Sequence, residues 1–159
     1  MTSPRLATAK EYIALFASLD ASQLETILDD EYYHEFAPKS MAPPGPFDKR
    51  GFLEHYSHLK DIMSGFPVTG HEYLESECAN AVTVHATSET VFRQELRDEG
   101  LSKEEWEYHG EYVFMLYMNG VGDKVVKVVE FLDSKATVEK LMPLNKRAKA
   151  NLERTKGKR

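Results

Sequence analysis

The chain has 159 residues, 42% of them hydrophobic and 11% aromatic, which suits one ordinary globular domain with a core and room for a pocket. Its formal net charge of −6 repels phosphates and argues against nucleic acid as a partner, and the lone Cys78 excludes an internal disulfide framework or a Cys-based zinc site. The apolar stretch Tyr12–Leu19 is too short to span a bilayer and lacks the layout of a signal peptide, so no membrane association and a reducing, cytoplasmic setting are expected.

In chain order, Ser3-Pro4 is a cap followed by proline at the first helical position. Leu6, Ala9, Ile13 and Phe16 then recur at helical spacing. Asp20 breaks that helix, and Ser22-Gln23-Leu24-Glu25, with capping-box spacing, opens a short second one. Glu31–Phe36 reads as a short strand. Ala37–Lys49 holds four prolines and Gly45 and reads as a loop. Asp48 caps a third helix with Phe52, Tyr56, Leu59, Ile62 and Met63 as its apolar stripe, ended by Gly65 and Pro67.

From Val68 the period changes to two. Strands Val68–Glu77 and Ala81–Glu95 flank a turn at Ala79-Asn80, and a polar loop leads to a closing hairpin. That hairpin pairs Trp106–Tyr117 with Val125–Leu132 around Asn119-Gly120. A last short helix begins near Ser134 or Thr137 and stops at Pro143. Residues 146–159 hold seven basic side chains against Glu153, a local +6, so residues 1–145 sum to −12. The division expected is one α+β domain over 1–145 and a frayed, solvated basic tail over 146–159.

The closing hairpin carries the chemistry. Its first strand puts Tyr108, Gly110, Tyr112, Phe114 and Leu116 on one face; its second puts Val126, Val128, Glu130 and Leu132 on one face. If these are the same side of the sheet, two phenols and a carboxylate meet among apolar neighbours. Glu130 interrupts a run of valines where an unpartnered carboxylate is costly, and in a cavity it can act as an acid or base. The phenols can donate hydrogen bonds to a substrate oxygen and stack on a polycyclic body. Tyr56, Phe92, Phe114, Leu116 and Val128 are the apolar wall this face offers. His34 and Lys39 flank the start of the Pro-rich loop, as candidates to exchange a proton and to hold an oxyanion, though a surface role suits both.

Other constellations point elsewhere. His55 and His58, three apart beside Glu54, have no evident third ligand, and HExxH is absent, so no metal site is expected. His85, Glu89, His109 and Glu111 lie on the opposite strand faces and become the site only if the face assignment is inverted. The outer stripe Val113, Met115 and Tyr117 is apolar enough to need cover, which predicts a homodimer.

The order of elements, together with His34-Glu35-Phe36-Ala37-Pro38, Pro43-Pro44, Asp48-Lys49-Arg50-Gly51-Phe52-Leu53, Phe66-Pro67-Val68-Thr69 and Lys127–Ser134, resembles the SnoaL-like family of the nuclear transport factor 2 superfamily, in its fungal branch. The resemblance spans about residues 5–143. It implies a conical, curved antiparallel sheet packed on N-terminal helices, with a pocket at the open end. It also implies dimers and cofactor-independent isomerisation, cyclisation or dehydration of polyketide, terpenoid or alkaloid intermediates. Within it, Glu130 matches a pocket carboxylate and Tyr108 with Tyr112 a tyrosine pair of fungal isomerases. A dehydratase would pair His34 with Glu130. A non-catalytic binding module would leave the cone filled or shallow.

Overall fold

A computed structural model describes residues 1–158. Helix α1 (Pro4–Leu15) begins where Ser3 accepts the Leu6 amide at 3.1 Å. α2 (Ala21–Ile27) is capped by Asp20, whose carboxylate takes the Ser22 amide at 3.0 Å, and not by Ser22 itself. β1 (Leu28–Ala37), longer than the sequence suggests, precedes the Pro-rich loop. β2 (Phe47–Asp48) then leads into α3 (Lys49–Ile62), capped by Asp48 through the Gly51 amide at 2.8 Å.

The change of period at Val68 marks the long strands. β3 (Met63–Gly65), β4 (Val68–Ser76), β5 (Ala81–Phe92), β6 (Tyr108–Met118) and β7 (Val125–Leu132) follow in turn. The sheet runs β2-β1-β7-β6-β5-β3, with β4 also paired to β5. It is curled into a half-barrel, with register shifts in β1, in β4 and near the end of β6. One pairing departs from the antiparallel expectation: β1 lies parallel to β7, His34 opposite Val128 and Phe36 opposite Glu130. β1 and β7 are the first and last strands of the chain, with the other five between them in sequence, so no short hairpin forces them antiparallel and they can run together.

Alternation on β6 is strict. Tyr108, Gly110, Tyr112, Phe114, Leu116 and Met118 point inward and their neighbours outward. Cross-strand register sets Phe114 opposite Glu130 and Leu116 opposite Val128, so the two hairpin faces are one face. A single hydrophobic cluster joins this surface to Tyr12, Phe16, Phe52 and Tyr56 from the helices.

The C-terminal segment corrects the sequence reading. α4 (Ser134–Ala136) passes through a π-helical turn, Thr137–Leu141, into α5 (Met142–Lys156). Pro143 does not stop the helix, because it sits in the first turn, where no intrahelical amide donor is needed. Over residues 146–156 the chain is helical where a frayed tail was expected, with residue 159 outside the described residues: Leu144, Ala148 and Asn151 are buried, and Arg147 grips Asp98 at 2.6 and 2.8 Å. Asn151 Nδ2 donates to Leu96 O and Asp98 Oδ2, both at 2.8 Å. Asp98, held by Arg147, keeps its carboxyl well below the ordinary carboxylate range. α5 therefore roofs the open side of the sheet. Among the described residues no helix is long and apolar enough to cross a membrane.

Candidate active site

Between α3, α5 and the inner sheet face lies a cavity of about 420 Å³, within the size range of small-molecule sites. Its walls are mostly apolar, with Phe16, Phe36, Phe52, Leu59, Phe66 and Leu132 prominent. Two groups at its base can exchange or donate protons: Glu130 from β7 and Tyr112 from β6. A second depression of about 530 Å³ beside α3 is wider, but it is a polar surface groove edged by Asp30, Asp48, Glu54 and His58. His55 faces the cavity and His58 that groove, so the two histidines do not converge.

Glu130 is 5% exposed, and its Oε2 lies 2.9 Å from Nε2 of His34, which is 0% exposed. The other ring nitrogen of His34 is 2.7 Å from the Tyr32 hydroxyl, itself 3.0 Å from that of Tyr12. Alternation along β1 makes this possible, since Tyr32 and His34 share its inner face. The His34 ring is clamped by stacking on Phe52, centroids 4.0 Å apart and planes 11° from parallel. A carboxylate can only accept, so with Glu130 ionised His34 donates from Nε2 and accepts at Nδ1 from Tyr32. Burial pushes the phenols of Tyr12 and Tyr32 well above their ordinary range, so both stay neutral donors. The result is a directed chain, Tyr12 to Tyr32 to His34 to Glu130, ending in a carboxylate that faces the cavity.

Tyr112 is also kept protonated by burial, and its hydroxyl lies 2.8 Å from Ser88 Oγ. Gly110 makes this pose possible: a Cβ there would stand 2.2 Å from the Tyr112 hydroxyl and 2.8 Å from Ser88 Oγ. Tyr108 is different. It is buried, bonds Thr137 Oγ1 at 3.3 Å, and does not line the cavity.

Several other expected site residues lie off the cavity. Phe114, directly opposite Glu130, and the Leu116–Val128 pair are buried core residues that do not line the cavity, and Phe92 packs on Trp106 at 5.4 Å. Lys39 borders a separate groove beside the Pro-rich loop. Tyr56 does line the cavity, though its hydroxyl is spent on Leu15 O at 2.6 Å. His34 sits deep behind Glu130, away from the surface. In the outer-face set Glu89, His109 and Glu111 are exposed and His85 is half-buried, His85 pairing with Glu111 at 2.7 Å and His109 and Glu89 bordering a small groove.

Sequence reasoning missed the relay phenols Tyr12 and Tyr32 and the whole contribution of the C-terminal helix. Thr137, Leu141, Met142, Asn145, Lys146 and Lys149 all line the cavity. The signal was present, since Leu144, Ala148 and Asn151 recur at helical spacing past Pro143. His55, on the opposite wall, has its pKa lowered to about 4 by burial and by the neighbouring His34, Lys149 and His58, so it is a neutral imidazole at pH 7.

No family model and no curated protein matches the chain. Solved structures do. AusH from Aspergillus nidulans is 22% identical with a TM-score of 0.69, over 82% of this chain and 84% of that one. The BvnE pinacolase from Penicillium brevicompactum is 18% identical with a TM-score of 0.75, over 92% and 95%. A nuclear transport factor 2-like protein from Burkholderia pseudomallei is 13% identical with a TM-score of 0.67, over 87% and 98%. The chain has the nuclear transport factor 2-like fold, in the form these fungal proteins share.

Proposed function

We propose that this protein is a SnoaL-like, cofactor-independent isomerase or cyclase of fungal secondary metabolism, working by general acid–base catalysis on a hydrophobic polyketide, terpenoid or alkaloid intermediate. One observation carries the reading: a His34–Glu130 pair, 2.9 Å apart, opens through its carboxylate onto an apolar cavity of about 420 Å³. The likeness in fold to a pinacolase supports an enzyme of this kind.

The proposed cycle starts from the proton arrangement in which Glu130 is the acceptor and His34 Nε2 the donor. Glu130 takes a proton from an acidic C–H or hydroxyl of the bound substrate, and His34 holds the loaded carboxyl in place by hydrogen bonding. The same proton is then delivered to a second carbon or oxygen of the rearranged substrate. Tyr112, free to accept from Ser88, donates its own hydrogen to the substrate oxygen on which charge develops. The phenyl walls fix the conformation in which the bond migrates or closes, and they exclude water. The acid–base step accounts for about 10²–10⁴-fold, with positioning supplying the remainder.

Glu130→Gln preserves shape while removing the base. Turnover of the true intermediate should fall at least about 10²-fold relative to wild type, with ligand affinity little changed. Wild-type turnover in this variant would discard Glu130 as the base, and wild-type conversion no faster than in buffer would leave a binding module.

The same histidine–carboxylate pair also suits a dehydratase, in which the loaded pair protonates a leaving hydroxyl. A product lighter by one water would select that reading. We further propose a homodimer through the outer sheet face and a cytoplasmic location, the latter resting on the lone Cys78.

A further inference from the structure

The cavity is apolar along its length but not at its solvent side. Lys146 and Lys149, one helical turn apart on α5, are both exposed and both contribute to its wall. Among the described residues neither approaches a carboxylate within 4.0 Å, whereas the nearby Arg147 is fully engaged by Asp98. Asn145, on the same helix face, has its Oδ1 buried without a hydrogen-bond partner. Among the described residues no carboxylate other than Glu130 lines this cavity. In a chain whose first 145 residues sum to −12, this mouth is a local exception.

We infer that the substrate is an amphiphilic anion: its apolar body fills the cavity toward Glu130, and an ionised carboxylate or enol remote from the reacting atoms rests between Lys146 and Lys149, with a hydroxyl donor meeting Asn145. The inference rests on the cavity being the substrate site. Three features fit it. An acidic group at the mouth keeps its hydration on one side while the lysines balance its charge, so it need not be dehydrated in the apolar interior. Separation of charges also orients the substrate, because the anionic end is repelled by the Glu130 carboxylate at the base and attracted at the mouth. Finally, Lys149 already contributes to keeping His55 neutral, so its charge is felt across the cavity. The alternative is that the lysines merely lay apolar stems over the wall while their ammonium groups serve solvation.

The test uses the full chain and two fluorescent probes of one shape, 8-anilinonaphthalene-1-sulfonate and the uncharged N-phenyl-1-naphthylamine. Lys146→Met/Lys149→Met keeps the apolar stems and removes both charges. It should weaken the sulfonate by roughly tenfold, about threefold per lysine, and leave the neutral probe within about twofold. Added salt should weaken the sulfonate on wild type and have little effect on the variant. Leu132→Trp, filling the cavity beside Glu130, should weaken both probes, which places them inside. Equal response of the two probes to the lysine change, or none, overturns the anionic substrate and leaves the Glu130 chemistry standing. Indifference of both probes to Leu132→Trp overturns the inference and the substrate site together.

Discussion

Replacing His34 by Phe would keep the stack on Phe52 and remove both hydrogen bonds of the imidazole, so the variant isolates the relay from the packing. It leaves the Tyr32 hydroxyl and the Glu130 carboxylate without their buried partner, at a cost of roughly 1–3 kcal/mol to folding. Turnover should fall about as far as in Glu130→Gln, and the double variant should be little worse than either alone, because the two residues handle one proton as a unit. Additive losses would show that they act separately. His34 was legible in the sequence as a candidate and Glu130 as the outstanding one, since a carboxylate amid valines needs a reason. Their contact was legible only as what a dehydratase would require, not as geometry. It depends on β1 lying parallel to β7, a long-range pairing that no local periodicity encodes. The same limit explains Tyr108, which shares a face with Tyr112 yet is turned to Thr137. A strand period fixes the side of a sheet but not the position along a curved surface.

At the scale of elements, α5 is held on the molecule by a small polar clasp. Asn151 joins it to Leu96 O and Asp98, and Arg147 adds two further bonds to the same carboxylate. Asn151→Ala leaves a carbonyl and a carboxylate oxygen short of a donor, so a loss of roughly 1–2 kcal/mol is expected in chemical denaturation. Hydrogen exchange should quicken along residues 142–156 while β6 and β7 stay protected. Uniform loss of protection would mean that α5 is part of the global folding unit instead of a separately opening roof. The π-helical turn before α5 has a related role. Its extra residue per turn re-aims the helix so that Thr137, Leu141 and Asn145 all reach the cavity. Proline and a run of basic residues concealed this helix from sequence reading, which weighed the breaker above the buried stripe Leu144, Ala148 and Asn151.

For the molecule as a whole, the outer sheet face is partly exposed: of the expected stripe Val113 is exposed, while Met115 and Tyr117 are half-buried. Val113 and Phe131 are a directly opposed cross-strand pair, 38% and 44% exposed, with Tyr33 also exposed on the neighbouring strand β1. A homodimer covering this stripe should scatter light as two copies of the 18.1 kDa chain, and Val113→Asp/Phe131→Asp should return the mass to that of one. A monomeric wild type at micromolar concentration would refute it. The order of helices and the switch to strands at Val68 were legible because each depends on hydrophobic period alone, and the fold follows from packing those surfaces together. Closure of the sheet by β1 and of the cavity by α5 are contacts between distant parts of the chain, and they had to be seen.

The chain of hydroxyls behind His34 leads inward, not out. Tyr32 and Tyr12 end in the core, 2% and 0% exposed, and His34 is sealed by Phe52. A hydrogen removed by Glu130 thus has no route to bulk water except past the substrate that surrendered it. Catalysis should therefore be conservative in isotope. Substrate deuterated at the abstracted position should yield product that keeps most of its label, and reaction in heavy water should introduce little. Extensive wash-out during turnover would reveal a solvent path through this wall.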